Sequence, residues 1–188
     1  MKAGEATHYR VVLRPWEIAH VATVGAQRTA ANLSRANAPH YSDASRREDE
    51  RTASHAAAAA ECATARLLNQ YWTAGGAWLA SRHGEFADLA DVGENIEVRR
   101  VRDFGTTTFA VRERDMGRTI VACFVVPPEL TEVRVLGWIQ GPDAWEVGQP
   151  VEDYTRVPID ALSRGPLPPD IPSRPAAQEF VFTRGVPS

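Results

Sequence analysis

Ile120-Val121-Ala122-Cys123-Phe124-Val125-Val126 is the stretch that decides the fold. Seven apolar residues run together without polar alternation and stop at Pro127-Pro128, which predicts a central strand buried on both faces. Strand-like runs surround it, Ile96–Val101 and Thr106–Val111 before it and Val133–Ile139 after it. Upstream, Trp16, Ile18, Ala19, Val21, Ala22, Val24, Ala26, Ala30 and Leu33 fit a helix over 15–37, with Pro15 placed near its start. The charged stretch Ser45–Arg51 leads into a second helix that should run to about Asn69, and Tyr9–Leu13 reads as a short opening strand. Helix, helix and then several strands predict a central mixed β-sheet flanked by helices, an α/β or α+β fold. After Gly141-Pro142-Asp143 the chain reads as irregular, with Tyr154–Ile159 extended and a turn near Leu162. Residues 1–163 read as a single domain, and 164–188, with Pro166, Pro168, Pro169, Pro172 and Pro175, as an extended tail.

The composition narrows the function classes. At 188 residues the chain is long enough to bury most of a layered core, and 44% hydrophobic with 24% charged residues is the balance of a globular protein. No apolar run approaches the roughly 20 residues that span a bilayer, so no membrane partner is expected. The start, Met1-Lys2-Ala3-Gly4-Glu5, lacks an apolar export core, and the expected location is cytoplasmic. Cys62 and Cys123 fall on different elements without metal-type spacing and read as buried, reduced thiols. A net charge of −3 gives no global attraction to nucleic acid, so DNA binding would rest on local basic patches such as Arg99, Arg100 and Arg102 or Arg112, Arg114 and Arg118.

The chemistry-bearing residues are acids. Asp91-Val92-Gly93 marks a turn, and Glu97-Val98-Arg99 follows within a strand, where alternation sends Glu97 and Arg99 to one face. A bend at Gly93 would set the Asp91 carboxylate beside that of Glu97. Two carboxylates with water suit Mg²⁺ (or Mn²⁺), which prefers oxygen ligands in octahedral array. In the second helix Ala57, Ala58, Glu61, Ala65 and Leu68 share a face, so the small side chains would let the helix lie close to the sheet with Glu61 pointing at it, from where it could complete the site directly or through water. From spacing alone two readings stay open. The same residues serve equally as a solvated glutamate on a good helix and a surface Glu97–Arg99 pair worth about 0–1 kcal/mol. His55 reads as a capping or packing residue, His83 and Glu85 as solvated, Asp115 as a turn residue and Trp138 as core.

The order Glu61, Asp91, Glu97-Val98-Arg99 resembles the PD-(D/E)XK, or restriction-endonuclease-like, nuclease superfamily. The chain looks closer still to small tailed-phage proteins assigned to it. The shared features are His55 through Glu61 leading to Tyr71-Trp72, Asp91-Val92-Gly93, Val98-Arg99, Gly137-Trp138-Ile139-Gln140-Gly141, and Tyr154 with Val157-Pro158 before Leu162. The resemblance implies a restriction-endonuclease-like core and a Mg²⁺- or Mn²⁺-dependent hydrolase that cleaves DNA. In it Asp91, Glu97 and Glu61 would be the metal acids, and all three with Arg99 the catalytic set. It also implies a phage origin and work in the host's bacterial cytoplasm. The chain departs from the pattern at Arg99, where the superfamily carries lysine, because a guanidinium stays charged and cannot serve as a base. The alternative is therefore a catalytically silent nuclease-fold protein that binds nucleic acid or a host protein. A third reading is a homo-oligomeric structural or anti-defence factor to which Trp72 and Trp78 would contribute an exposed aromatic surface.

Overall fold

Every residue of the central strand is buried except its last, in agreement with the unbroken apolar run. The computed structural model describes residues 9–34, 50–74, 89–102 and 105–165. Within them a four-stranded sheet has the order β1-β5-β4-β2, built from β1 (Tyr9–Val12), β2 (Ile96–Val101), β4 (Thr119–Val126) and β5 (Glu132–Gln140). Strands β1 and β5, and β5 and β4, pair antiparallel, while β2 lies parallel to β4 with Ile96 opposite Thr119. A second sheet, ordered β3-β7-β6, contains β3 (Thr108–Arg112), β6 (Gln149–Val151) and β7 (Tyr154–Pro158).

The two faces of β4 explain the layering. Val121, Cys123 and Val125 point into one core with Val21 and Val24 of α1 (Pro15–Ser34) and the alanines of α2 (Glu50–Leu67). Ile120, Ala122 and Phe124 point into the other core, against Phe109, Val111 and Val157 of the second sheet and Ala144 of α3 (Gly141–Val147). The protein is thus mixed α/β, a mixed central sheet with the α1–α2 pair on one face and the second sheet with α3 on the other. Among the described residues no helix is long and apolar enough to cross a membrane.

Helix α2 is buried nearly all round because Ala56, Ala58, Ala59, Ala60, Ala63 and Ala65 present little bulk to either neighbour. It ends where Asn69 turns left-handed (φ 51°) and the Gln70 N–H reaches back to Ala65 O at 2.9 Å. At the start of α1, the Glu17 carboxylate accepts the Arg14 N–H at 2.6 Å, and Pro15 occupies the first turn, where no amide is needed.

The expectation of irregular chain after Gly141 is corrected here. Pro142 opens the helix α3 instead of breaking structure, and β6 and β7 form a hairpin. Strand β6 is only three residues long and contains Pro150, too short for an alternating pattern to show. Trp72 is not an exposed aromatic: it is half-buried, with its ring 4.9 Å from that of His20. Trp78, His83, Glu85 and the tail from 166 onward lie outside the described residues.

Gly137 has a specific reason to be glycine. A bulge between Ala122 and Cys123 in the β4–β5 ladder leaves Gly137 at φ 151°. There a Cβ would stand 2.5 Å from Ser163 O. The segment cannot retreat, because Trp138 and Ser163 exchange two backbone hydrogen bonds of 3.0 and 2.8 Å. Gly137→Ala is expected to lose about 2–3 kcal/mol in chemical denaturation, as strain at a disfavoured backbone conformation and steric conflict add.

Candidate functional site

Asp91 is held at the entry to β2 by backbone geometry. Val92 bridges antiparallel to both Trp72 and Ile96, and Gly93, at φ 58°, makes the turn between them. The Asp91 carboxylate folds back over this turn and takes the Val98 N–H on Oδ2 at 2.9 Å. The side chains of β2 then alternate as expected. Ile96 and Val98 join the helix-side core, while Glu97 and Arg99 meet the loop between β3 and β4.

Glu61 reaches the same turn from α2. It is 5% exposed, and Trp72 Nε1 donates to its Oε2 at 2.9 Å, so the Trp72–Val92 bridge ties Glu61 to the Asp91 turn. Burial, then the charges of Glu61 and Glu97, push the Asp91 carboxyl well above the ordinary carboxylate range, against the pull of the Val98 N–H and Arg99. The structure therefore gathers the three acids, although they come from a helix, a turn and a strand.

Of the counter-ions, the sequence offers Arg99 as a surface partner of Glu97, and the structure buries that pair and adds two that were not anticipated, Arg28 and Arg118. Arg28 of α1 donates through Nη1 and Nη2 to the two oxygens of Glu61 at 2.7 and 2.6 Å. Arg118, just before β4, pairs with Glu97 Oε2, and Arg99 Nη2 lies 3.0 Å from Glu97 Oε1. Arg99 also donates through Nε at 3.2 Å, and through Nη2, to Asp115 Oδ2. Asp115 stands in the 3-10 turn Glu113–Asp115, yet it is fully buried and also accepts the Arg112 N–H at 2.8 Å. It is a turn residue, as its position predicts, and a buried acid of the cluster as well. An Arg-Asp-Met-Gly-Arg run with both signs of charge beside a turn is the one sequence signal that pointed to it.

The outcome is a cluster in which three largely buried guanidiniums, Arg28, Arg99 and Arg118, face four carboxylates. Asp91 is the carboxylate to which, among the described residues, no guanidinium is bonded. For Mg²⁺ or Mn²⁺ the donor set is right in kind, since it offers carboxylate oxygens from three elements around one turn. As arranged, both glutamates are already held by arginine, and among the described residues no three His, Cys, Asp or Glu side chains are placed to hold a metal ion. A cation could gain Glu61 or Glu97 only by displacing arginine.

Other groups play no part in this cluster. His55 Nδ1 lies 2.8 Å from Arg51 O on its own helix. Cys62 and Cys123 are free and buried, and burial pushes the Cys123 thiol up to about 12, which makes it unreactive. Trp138 is partly buried and donates through Nε1 to Gly165 O at 3.2 Å. An apolar cavity lined by Tyr9, Thr64, Leu68, Val121, Trp138 and Gly165 opens on the helix side of the sheet, and none of Glu61, Asp91, Glu97 and Arg99 lines it. No protein-family model, no curated protein and no solved structure matches this chain.

Proposed function

We propose that this protein is a metal-dependent nuclease of the PD-(D/E)XK kind, a hydrolase acting on DNA phosphodiester bonds at the Glu61–Asp91–Glu97 cluster. The observation that carries the reading is the meeting of these acids at the Asp91 turn, where Asp91 Oδ2 takes the Val98 N–H next to Glu97 and Trp72, bridged to Val92, donates to Glu61. Asp91 stands beside the other two acids with no guanidinium bonded to it among the described residues, and such a carboxylate at a β-strand entry is the arrangement expected where function requires it. Asp91 and Glu97 would hold Mg²⁺ or Mn²⁺, with Glu61 in support. When bound, the metal supplies an acidified water and neutralises phosphate charge. The Val98 N–H fixes the Asp91 carboxylate, and Trp72 fixes Glu61. Arg99 supplies fixed positive charge beside Glu97, held by Asp115. It contributes electrostatics and no proton, because arginine does not give one up.

A second reading is favoured by the arginines themselves. With Glu61 and Glu97 neutralised by guanidinium, the same site would suit a silent nuclease-fold module that binds DNA without cutting it. One experiment separates the two: purified protein with single-stranded, duplex and branched DNA, in Mg²⁺ or Mn²⁺ and in EDTA. Cleavage that EDTA abolishes supports the nuclease. Inert protein that still binds DNA, with an affinity falling steeply as salt rises, supports the silent module.

A further inference from the structure

Arg28 belongs to no part of the motif, and its placement is not casual. It is delivered by a close helix crossing. Gly25, one turn earlier on α1, lies against α2 so tightly that a Cβ there would stand 2.7 Å from the His55 ring. This contact pins Arg28 over Glu61, and the two-pronged pair that results is almost wholly buried, with side-chain exposures of 12% and 7%. The rest of the guanidinium's surroundings are acidic too. Burial alone would lower the Arg28 pKa, but Glu61 raises it, and so do Asp91 and Glu97 beyond it. Its Nε is buried and, among the described residues, has no hydrogen-bond partner. Of the three acids that the motif would assign to a metal, Arg28 thus grips Glu61 directly, and the charges of the other two favour its charged form.

We propose that Arg28 is the resident counter-ion of the acid cluster, standing where a divalent cation would act and competing with it for Glu61. Metal uptake and the Arg28–Glu61 pair are then mutually exclusive. A single positive charge spread over a planar fork compensates these acids less fully than a compact divalent ion, yet it is covalently attached and always present. The cluster keeps its charges compensated without metal and gives up little affinity to free cations. The inference rests on the nuclease reading for the identity of the metal acids.

Manganese binding tests it directly, by calorimetry or by the loss of the free-ion spin-resonance signal, with MnCl₂ alone as the probe. Arg28→Gln is expected to bind Mn²⁺ at least tenfold more tightly than wild type, and Arg28→Gln with Asp91→Asn to lose that gain. Equal or weaker binding by Arg28→Gln overturns the proposal, and so does a gain that survives Asp91→Asn. Because Arg28→Gln leaves Glu61 without its partner, thermal unfolding in EDTA and in millimolar Mn²⁺ supplies a second readout. Mn²⁺ should restore the stability of Arg28→Gln, or its folding if it is unfolded in EDTA, while leaving the wild-type melting temperature unchanged. A variant that Mn²⁺ does not rescue counts against the proposal. The two ideas fail separately. Wild type that binds Mn²⁺ through Asp91 as tightly as Arg28→Gln does leaves the nuclease reading standing and removes the competition. A tenfold gain in Arg28→Gln beside wild type that never cleaves DNA keeps the competition and removes the nuclease.

Discussion

Asp91→Asn is expected to melt at a higher temperature than wild type at neutral and alkaline pH and, on the proposed nuclease reading, to cleave DNA at least ~10²-fold more slowly. The stability half follows from the raised pKa of Asp91, caused first by burial and then by Glu61 and Glu97. An unfolded aspartate releases its proton near pH 3.9, whereas the folded one retains it to higher pH. The folded state thus binds the extra proton, and the stability this provides is complete below about pH 4 and lost as pH rises through the folded pKa. Asparagine has no proton to lose, and its carbonyl still accepts the Val98 N–H that Oδ2 now takes at 2.9 Å. The gain from the substitution should therefore grow with pH and vanish near pH 4, in melting curves collected at steps from pH 4 to pH 9. Parallel curves for the two proteins would show that Asp91 ionises normally. The activity half uses the magnitude typical of losing one preorganised electrostatic group, about 10²–10³ in rate. A side chain whose removal stabilises the fold and stops the chemistry is one the fold keeps for function.

Asp115→Ala is expected to cost about 3 kcal/mol, the range for removing one partner of a buried ion pair. For a chain of this length that corresponds to a fall in melting temperature of roughly 6–12 °C. Asp115 is fully buried and receives both the Arg99 guanidinium and the Arg112 N–H. Without it, Arg99 keeps Glu97 alone, and the 3-10 turn loses the acceptor that caps it. Asp115→Asn should lose less, since an amide carbonyl still takes the Arg112 N–H. Urea denaturation of the three proteins separates the contributions: a loss under about 1 kcal/mol for Asp115→Ala would show that Glu97 suffices to hold Arg99.

Much of the fold was legible because it rests on patterns that neighbouring residues write together. The unbroken run in β4 required burial on both faces, and the alanines of α2 required close packing, whatever they packed against. Strands too short to alternate carried no such signal, so β6 was missed and β7 was read only as extended chain. The departure of β3 to a separate sheet was hidden as well, because its sequence fits either sheet equally. At the site, Glu61, Asp91 and Glu97 could be picked out by their order. Two of their counter-ions, Arg28 and Arg118, could not. Arg28 lies 33 positions from Glu61 and Arg118 lies 21 from Glu97, and nothing local distinguishes either from the many other arginines. Asp115 was seen as a turn residue because turns favour aspartate, and its burial depends on the second sheet and α3, which lie over that side of the central sheet.

The pairing of β1 with β5 sets the order in which this protein can be made. Tyr9 sits opposite Val135, so β1 waits for β5, the fifth of the seven described strands. Until Glu132–Gln140 has emerged, the growing chain carries Val11, Val21, Val24 and the alanine surface of α2 with no completed sheet to cover them. The β4–β5 hairpin is local in sequence and costs little to close, so it is expected to form before β1 docks onto its free side. A nascent chain stalled before residue 132 is expected to leave this apolar surface uncovered and prone to aggregate.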